Sequence, residues 1–405
     1  MVSRFLTALV FYTAVNAAVF CLPAGKDGAK SIEAQDFALS SKVESEGKPS
    51  SWWLARAYLK DMQRPDVVVC GSSQIGGLQA ADANRLNAPV DFVRDHHCRS
   101  IEAHLQKSDG STYVFLCALP GAMISDHFAI ARALYQSKGA PSAVVLTVSP
   151  RDFIDNSLPC AGSTEPYRYF AQFSDMSKYK RLAYNEPWQA FQFIVSEELP
   201  LRHLAAYLKD KESQYLAATA DTTGSAGVDG AKNKRANDQS LEEKKASIND
   251  QVKFVMGGYE GNIKPGQAVL TPNLPRIFVD NSRDYRRRYK NSHPATYDVQ
   301  MQYFREFLAY LNTQQTKVIV LGMPLTKENR AVLPETFWSK YRADMQALCT
   351  GGNATWVDLI SDPEFSREDF CDTVHLNGAG GEKLAAKIAG SLNQELALSR
   401  RSRAM

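Results

Sequence analysis

Val67-Val68-Val69-Cys70 runs straight into Gly71-Ser72-Ser73-Gln74. A short, unbroken apolar run that ends in small residues predicts a strand buried on both faces, followed by a tight turn into a helix. Four further runs repeat the pattern: Tyr113 to Leu119, Ala143 to Val148, Lys317 to Gly322 and Trp356 to Leu359. Helical periodicity falls between or after them, over Ile124 to Tyr135, Tyr297 to Leu311, Phe337 to Leu348 and Gly381 to Leu398. Strands alternating with helices in this order predict an open α/β sheet with right-handed crossovers.

The 405 residues suffice for one large domain or two ordinary ones, and 44% hydrophobic content supplies a full core. A net charge of +3, with no nucleic-acid motif, excludes nucleic acid as the expected partner. The basic cluster Arg286-Arg287-Arg288 with Lys290 reads first as a solvated surface and second as a contact for an anionic surface or polymer.

Residues 1–23 hold the apolar stretch Phe5 to Leu22 behind Arg4. It is read as an N-terminal membrane helix, with a cleaved signal segment as the alternative because Val15-Asn16-Ala17 offers small residues at cleavage spacing. Either reading exports the rest of the chain, to a periplasmic or extracellular location. Residues 24–51 are polar and read as a tether, and packing is expected from Trp52 through residue 400. Within that span, residues 160–280 read as an insertion. Tyr167 to Leu208 carries aromatic clusters suited to capping helices, whereas 209–251 has hardly a large apolar side chain and is expected to be disordered.

Of the seven cysteines, Cys70 and Cys117 fall in apolar strands and are expected to pack as core groups. Cys98, Cys160, Cys349 and Cys371 fall in loop-like or helix-end contexts and are candidates for pairing. No Cys-x-x-Cys occurs. His96-His97-Cys98 with His104 has metal-ligand residue types, but adjacent side chains diverge, so no metal is expected there.

The candidate chemistry gathers at strand ends, where open α/β sheets bind ligands. Ser73 follows the first strand, where unpaired backbone N–H groups favour a nearby oxyanion; capping the helix is its plainer use. Gly121 follows the second strand and either brings its N–H to a substrate oxygen or merely turns the chain. Arg151, in Ser149-Pro150-Arg151-Asp152 after the third strand, either donates to an oxyanion or pairs with Asp152 or Asp155. Asp372-Thr373-Val374-His375 precedes the last helix. A serine needs a base, and the base needs an acceptor on its second nitrogen; Asp372 and His375 supply that pair.

With Ser73, Gly121, Asp372 and His375 in that order, the chain resembles the SGNH or GDSL-type hydrolases over roughly Pro65 to Gln394. The resemblance implies a flavodoxin-like three-layer sandwich with a five-stranded parallel sheet. It also implies a Ser73–His375–Asp372 triad, with an oxyanion hole from Ser73, Gly121 and Arg151. The family's usual Gly-Asp-Ser is Gly71-Ser72-Ser73 here, and Arg151 stands where its asparagine would be. These departures, with the N-terminal apolar segment, are more similar to the envelope acyl-transfer members that act in teichoic-acid D-alanylation and alginate O-acetylation. Such a protein is expected to act on a cell-envelope polysaccharide or its acyl donor, beside a multispanning membrane acyltransferase. It would be a membrane-anchored serine esterase or O-acyltransferase. A non-catalytic scaffold that binds glycan or the acyltransferase is the alternative. No cofactor is expected, since neither Gly-x-Gly-x-x-Gly nor a Walker-type lysine follows the first strand.

Overall fold

The computed structural model describes residues 48–60, 63–105, 112–158, 160–184, 269–273, 278–290, 294–350 and 354–404, with Ile32 and Gly266 besides. The chain divides into two units, residues 1–30 with 184–244 and residues 31–183 with 245–405. The second unit contains the sheet. The candidate anchor Phe5 to Leu22 and the low-complexity stretch 209–251 lie outside the described residues. Among the described residues, no helix is long and apolar enough to cross a membrane.

Five strands form one parallel sheet: β1 (Val67–Gly71), β2 (Val114–Ala118), β3 (Ala143–Val148), β4 (Lys317–Gly322) and β5 (Ala354–Asp358). Their order in the sheet is β2-β1-β3-β4-β5. β1 and β2 are buried at every position, as the unbroken apolar runs require when helices cover both faces. β5 begins and ends slightly earlier than its apolar run, because an edge strand is half-exposed and can recruit Ala354 and Thr355. The chain leaves β1 toward β2 and then returns across β1 to β3. The sheet's direction of growth therefore reverses between β1 and β3, and the reversal opens a crevice at their carboxyl ends.

Eight helices matter for the site: α1 (Ser50–Lys60), α2 (Gly76–Leu86), α3 (Ile124–Lys138), α4 (Arg151–Ile154), α5 (Ser282–Tyr289), α6 (Pro294–Thr313), α7 (Glu335–Thr350) and α8 (Gly378–Ala404). α2 packs on α8, and α3 packs on α6. α2 and α8 approach backbone to backbone: a Cβ on Gly381 would stand 1.7 Å from the Gly77 carbonyl oxygen. That close approach presses the loop before α8 against the start of α2, so residues near 375 meet residues near 73. Between α3, α6 and α7 lies an aromatic core of Phe128, Phe153, Tyr303, Phe304 and Tyr341, all fully buried. Burying each contributes on the order of 1.5–3 kcal/mol.

Three expectations require correction. The tether stops before Ser50, because Ser50 and Ser51 are buried in the first turn of α1. Both ends of the supposed insertion belong to the fold. Phe170 is fully buried, the Tyr167 hydroxyl meets the Tyr303 hydroxyl at 2.8 Å, and the Val279 N–H donates to the Cys371 carbonyl at 2.8 Å. The apolar residues of these segments follow no single period, so their packing leaves no regular pattern in the sequence. Finally, Cys98, Cys160, Cys349 and Cys371 form no disulfide among the described residues; the first three are buried as free thiols.

Candidate active site

Ser73 opens a short 3-10 turn, Ser73–Ile75, between β1 and α2. Neither serine caps a helix: Ser72 makes no side-chain cap bond, and α2 is entered through Ile75. The Ser73 hydroxyl instead meets His375 Nε2 at 2.9 Å across 302 positions of sequence. His375 Nδ1 lies 2.8 Å from Asp372 Oδ2. Asp372 is fully buried and His375 nearly so, while Ser73 remains half-exposed.

The carboxylate is fixed before the imidazole uses it. Asp372 Oδ1 accepts the backbone N–H groups of Val374 at 2.8 Å and His375 at 2.7 Å. This Asx-type loop closes the three-residue spacing and aims the ring at its own carboxylate. Asp372 Oδ2 also accepts Asn281 Nδ2 at 2.8 Å. Asn281 Oδ1 in turn accepts the N–H of Thr373 at 3.2 Å and the Thr373 hydroxyl. Asn281 is a member of the site that the sequence reading passed over. It lies 91 positions from Asp372, in a turn-rich stretch where an asparagine gives no sign of its partner. The Val279–Asp372 bridge is what brings it there.

Gly121 has φ +74, the left-handed region that favours glycine. Its loop is tied to the serine turn by the Leu119 N–H, which donates to the Gly71 carbonyl at 3.2 Å. The N–H groups of Ser73 and Gly121 find no acceptor among the described residues.

Arg151 is already committed. Its Nε donates to Asp155 at 3.0 Å, Nη1 to the Ala122 carbonyl at 2.8 Å and Nη2 to the Gly121 carbonyl at 2.9 Å. The side chain is nearly buried; burial works against its charge, but Asp155 and Asp152 outweigh that and hold it ionised. Asp155 also accepts Arg288 from α5 at 2.9 Å. Burial pushes Asp152 up to about 6, against the pull of Arg151 and the Ser149 N–H. Of the two uses open to Arg151, pairing is the one observed, and it braces the Gly121 loop from beneath.

The basic cluster divides accordingly. Arg288 turns inward to Asp155, while Arg283, Arg286 and Arg287 are exposed on the side of α5 away from the buried Tyr285 and Tyr289. The histidines near 96 do not converge. His96 bonds the carbonyls of Leu116 and Val93, His97 bonds Glu102, and His104 bonds Glu382.

The serine can therefore give its proton to the imidazole, which the carboxylate holds in place, with a half-exposed nucleophile at the outer end of the line. No protein-family model and no curated protein matches this chain.

Proposed function

We propose that this chain is a serine esterase or O-acyltransferase of the SGNH type, exported and anchored by its N-terminal segment. In this reading it acts on acyl groups of cell-envelope glycans. The observation that carries it is the continuous contact from Ser73 Oγ through His375 to Asp372. The Ser73 oxygen attacks an ester carbonyl as His375 Nε2 takes its proton. The carbonyl oxygen becomes an oxyanion held by the N–H groups of Ser73 and Gly121. As the intermediate collapses, His375 returns the proton to the departing alcohol and leaves an acyl-Ser73. Water, or a sugar hydroxyl in the transfer case, then gives its proton to His375 and attacks the acyl carbon, and His375 returns that proton to the Ser73 oxygen as it departs. Asp372 stays ionised throughout and stabilises the imidazolium.

Arg151 shapes the oxyanion loop in this scheme, because its guanidinium already serves Asp155 and two carbonyls. Two backbone donors remain, and loss of one donor typically costs about 10²–10³ in turnover. The same observation favours the second reading, a non-catalytic scaffold that binds glycan or a membrane acyltransferase. An assay separates them: release of acid from an O-acetylated oligosaccharide, and transfer of acetyl to an added acceptor. The enzyme reading expects one or both with wild type and neither with Ser73→Ala. If folded wild type binds the oligosaccharide yet releases and transfers nothing, the scaffold stands instead.

A further inference from the structure

We propose that Cys70, Cys117 and His127 form a trigonal site for one soft d10 metal ion, copper(I) by preference and zinc(II) otherwise. Cys70 and Cys117 are register partners at the carboxyl ends of β1 and β2, so their side chains emerge on the same face of the sheet. His127 stands in the first turn of α3. One ligand atom from each of the three lies within 4.8 Å of the others, and all three residues are buried.

Two independent features mark this cluster as more than core packing. The first is that His127 Nδ1 is buried and has no hydrogen-bond partner. An unsatisfied buried group costs about 1–3 kcal/mol, and one in a native structure calls for an explanation such as an ion. A metal takes the lone pair of a neutral imidazole nitrogen, which is what an unpartnered Nδ1 can offer. The second is geometric. An ion at the centre of a triangle of that side lies on the order of 2.8 Å from each vertex, the side divided by √3. Metal–thiolate bonds near 2.3 Å and metal–imidazole bonds near 2.0–2.1 Å then need each ligand to move by roughly half an ångström. Small side-chain rotations supply that.

The donor set selects the ion. Two thiolates and an imidazole suit copper(I) and zinc(II) and do not suit magnesium or calcium. Three ligands complete a copper(I) site, whereas structural zinc takes four. A cysteine ligates a metal as its thiolate, so each sulfur gives up its proton on binding. Binding therefore releases two protons: Cu⁺ with two thiols gives a dithiolate complex of charge −1, and Zn²⁺ gives a neutral one.

The location gives the ion a consequence. Cys70 directly precedes the Gly71-Ser72-Ser73 turn, and Cys117 and His127 flank the Gly121 loop. One ion would lock together the two strand ends that carry the nucleophile and the oxyanion glycine.

The test uses the full-length chain, reduced and held under anaerobic conditions. One arm titrates copper(I) against bathocuproine disulfonate; the other titrates zinc(II) against a chromophoric chelator. X-ray absorption then reads the ligand shell. We expect one ion per chain with two sulfurs and one nitrogen around it. Changing outer-shell groups alone costs about 10–100-fold in metal affinity, so Cys70→Ser with Cys117→Ser, or His127→Gln, should weaken binding by at least tenfold. Circular dichroism checks that these variants fold, and the wild-type ligand shell decides the matter if they do not. No ion in either arm, an oxygen and nitrogen shell, a Cys70–Cys117 disulfide in the purified protein, or undiminished binding by the double variant would each overturn the proposal.

Discussion

Two clusters of charge stand at the carboxyl ends of the sheet, built from much the same materials. Around Asp155, the guanidinium groups of Arg151 and Arg288 converge on a carboxylate, and Arg151 also holds two carbonyls. Around Asp372, Asn281, two backbone N–H groups and an imidazole converge on another. The first cluster is closed: both guanidinium groups are spent on Asp155, and the partly exposed Arg288 carries no base beside it among the described residues. The second ends in the half-exposed Ser73 hydroxyl, whose hydrogen-bond partner is a base. A buried charge network braces a fold when its bonds are used internally, and it can do chemistry when one reactive atom is left at the mouth.

Substitution tests that contrast. Ser73→Ala should abolish acyl release, by about 10⁴–10⁶-fold, with the melting temperature almost unchanged. Asp372→Asn should lower turnover by about 10⁴, because the amide favours the wrong imidazole tautomer; the pH–rate profile should change along with it. Arg151→Met should act on the other cluster and on stability. Leaving Asp155 buried beside a lost partner costs about 3–5 kcal/mol, read by denaturant unfolding, and Arg151→Met with Asp155→Asn should recover part of it. If Arg151→Met instead left stability intact and removed turnover, the division between bracing and chemistry would fail.

Smaller effects sharpen the boundary. Asn281→Ala removes a hydrogen bond to a charged group worth about 1.5–3 kcal/mol, so turnover should fall about 10–100-fold with KM little changed. Asn281→Asp would place a like charge against Asp372 and should do worse. The smallest effect concerns Asp126, whose carboxylate accepts the Met123 N–H at 2.6 Å and the Thr164 hydroxyl. Burial pushes it up to about 7 from 3.8. The folded state therefore holds this proton when the unfolded state has lost it, and the associated stability falls as pH rises from about 4 through about 7. Asp126→Asn should remove that slope. Its melting temperature relative to wild type should climb by roughly 5–10 °C between pH 5 and pH 8, at about 2–4 °C per kcal/mol.

Periodicity and chemistry were unequally legible in the sequence. β3 and β4 matched their apolar runs end to end, because a strand buried on both faces admits few polar residues. Ser73, Asp372 and His375 were visible as short local patterns at strand ends, and the structure brings them together. Asn281 was not visible, since its role arises from a bridge between Val279 and Asp372 that no local pattern announces. The orientation of Arg151 was equally hidden: Asp152 and Asp155 are near in sequence, but the carbonyls of Gly121 and Ala122 come from another loop. Residues 160–183 look like inserted sequence and pack like core, because their aromatic side chains meet partners such as Tyr303 far along the chain.

The proposed chemistry requires the Ser73 oxygen to yield its proton to His375. Intact-protein mass spectrometry after exposure to a fluorophosphonate reads this directly, with peptide mapping to locate the adduct. Wild type should gain a single phosphonyl group on Ser73, and folded Ser73→Ala or His375→Ala protein should gain none over the same period. Folded wild type that stays unmodified, or His375→Ala protein that reacts as quickly as wild type, would contradict it.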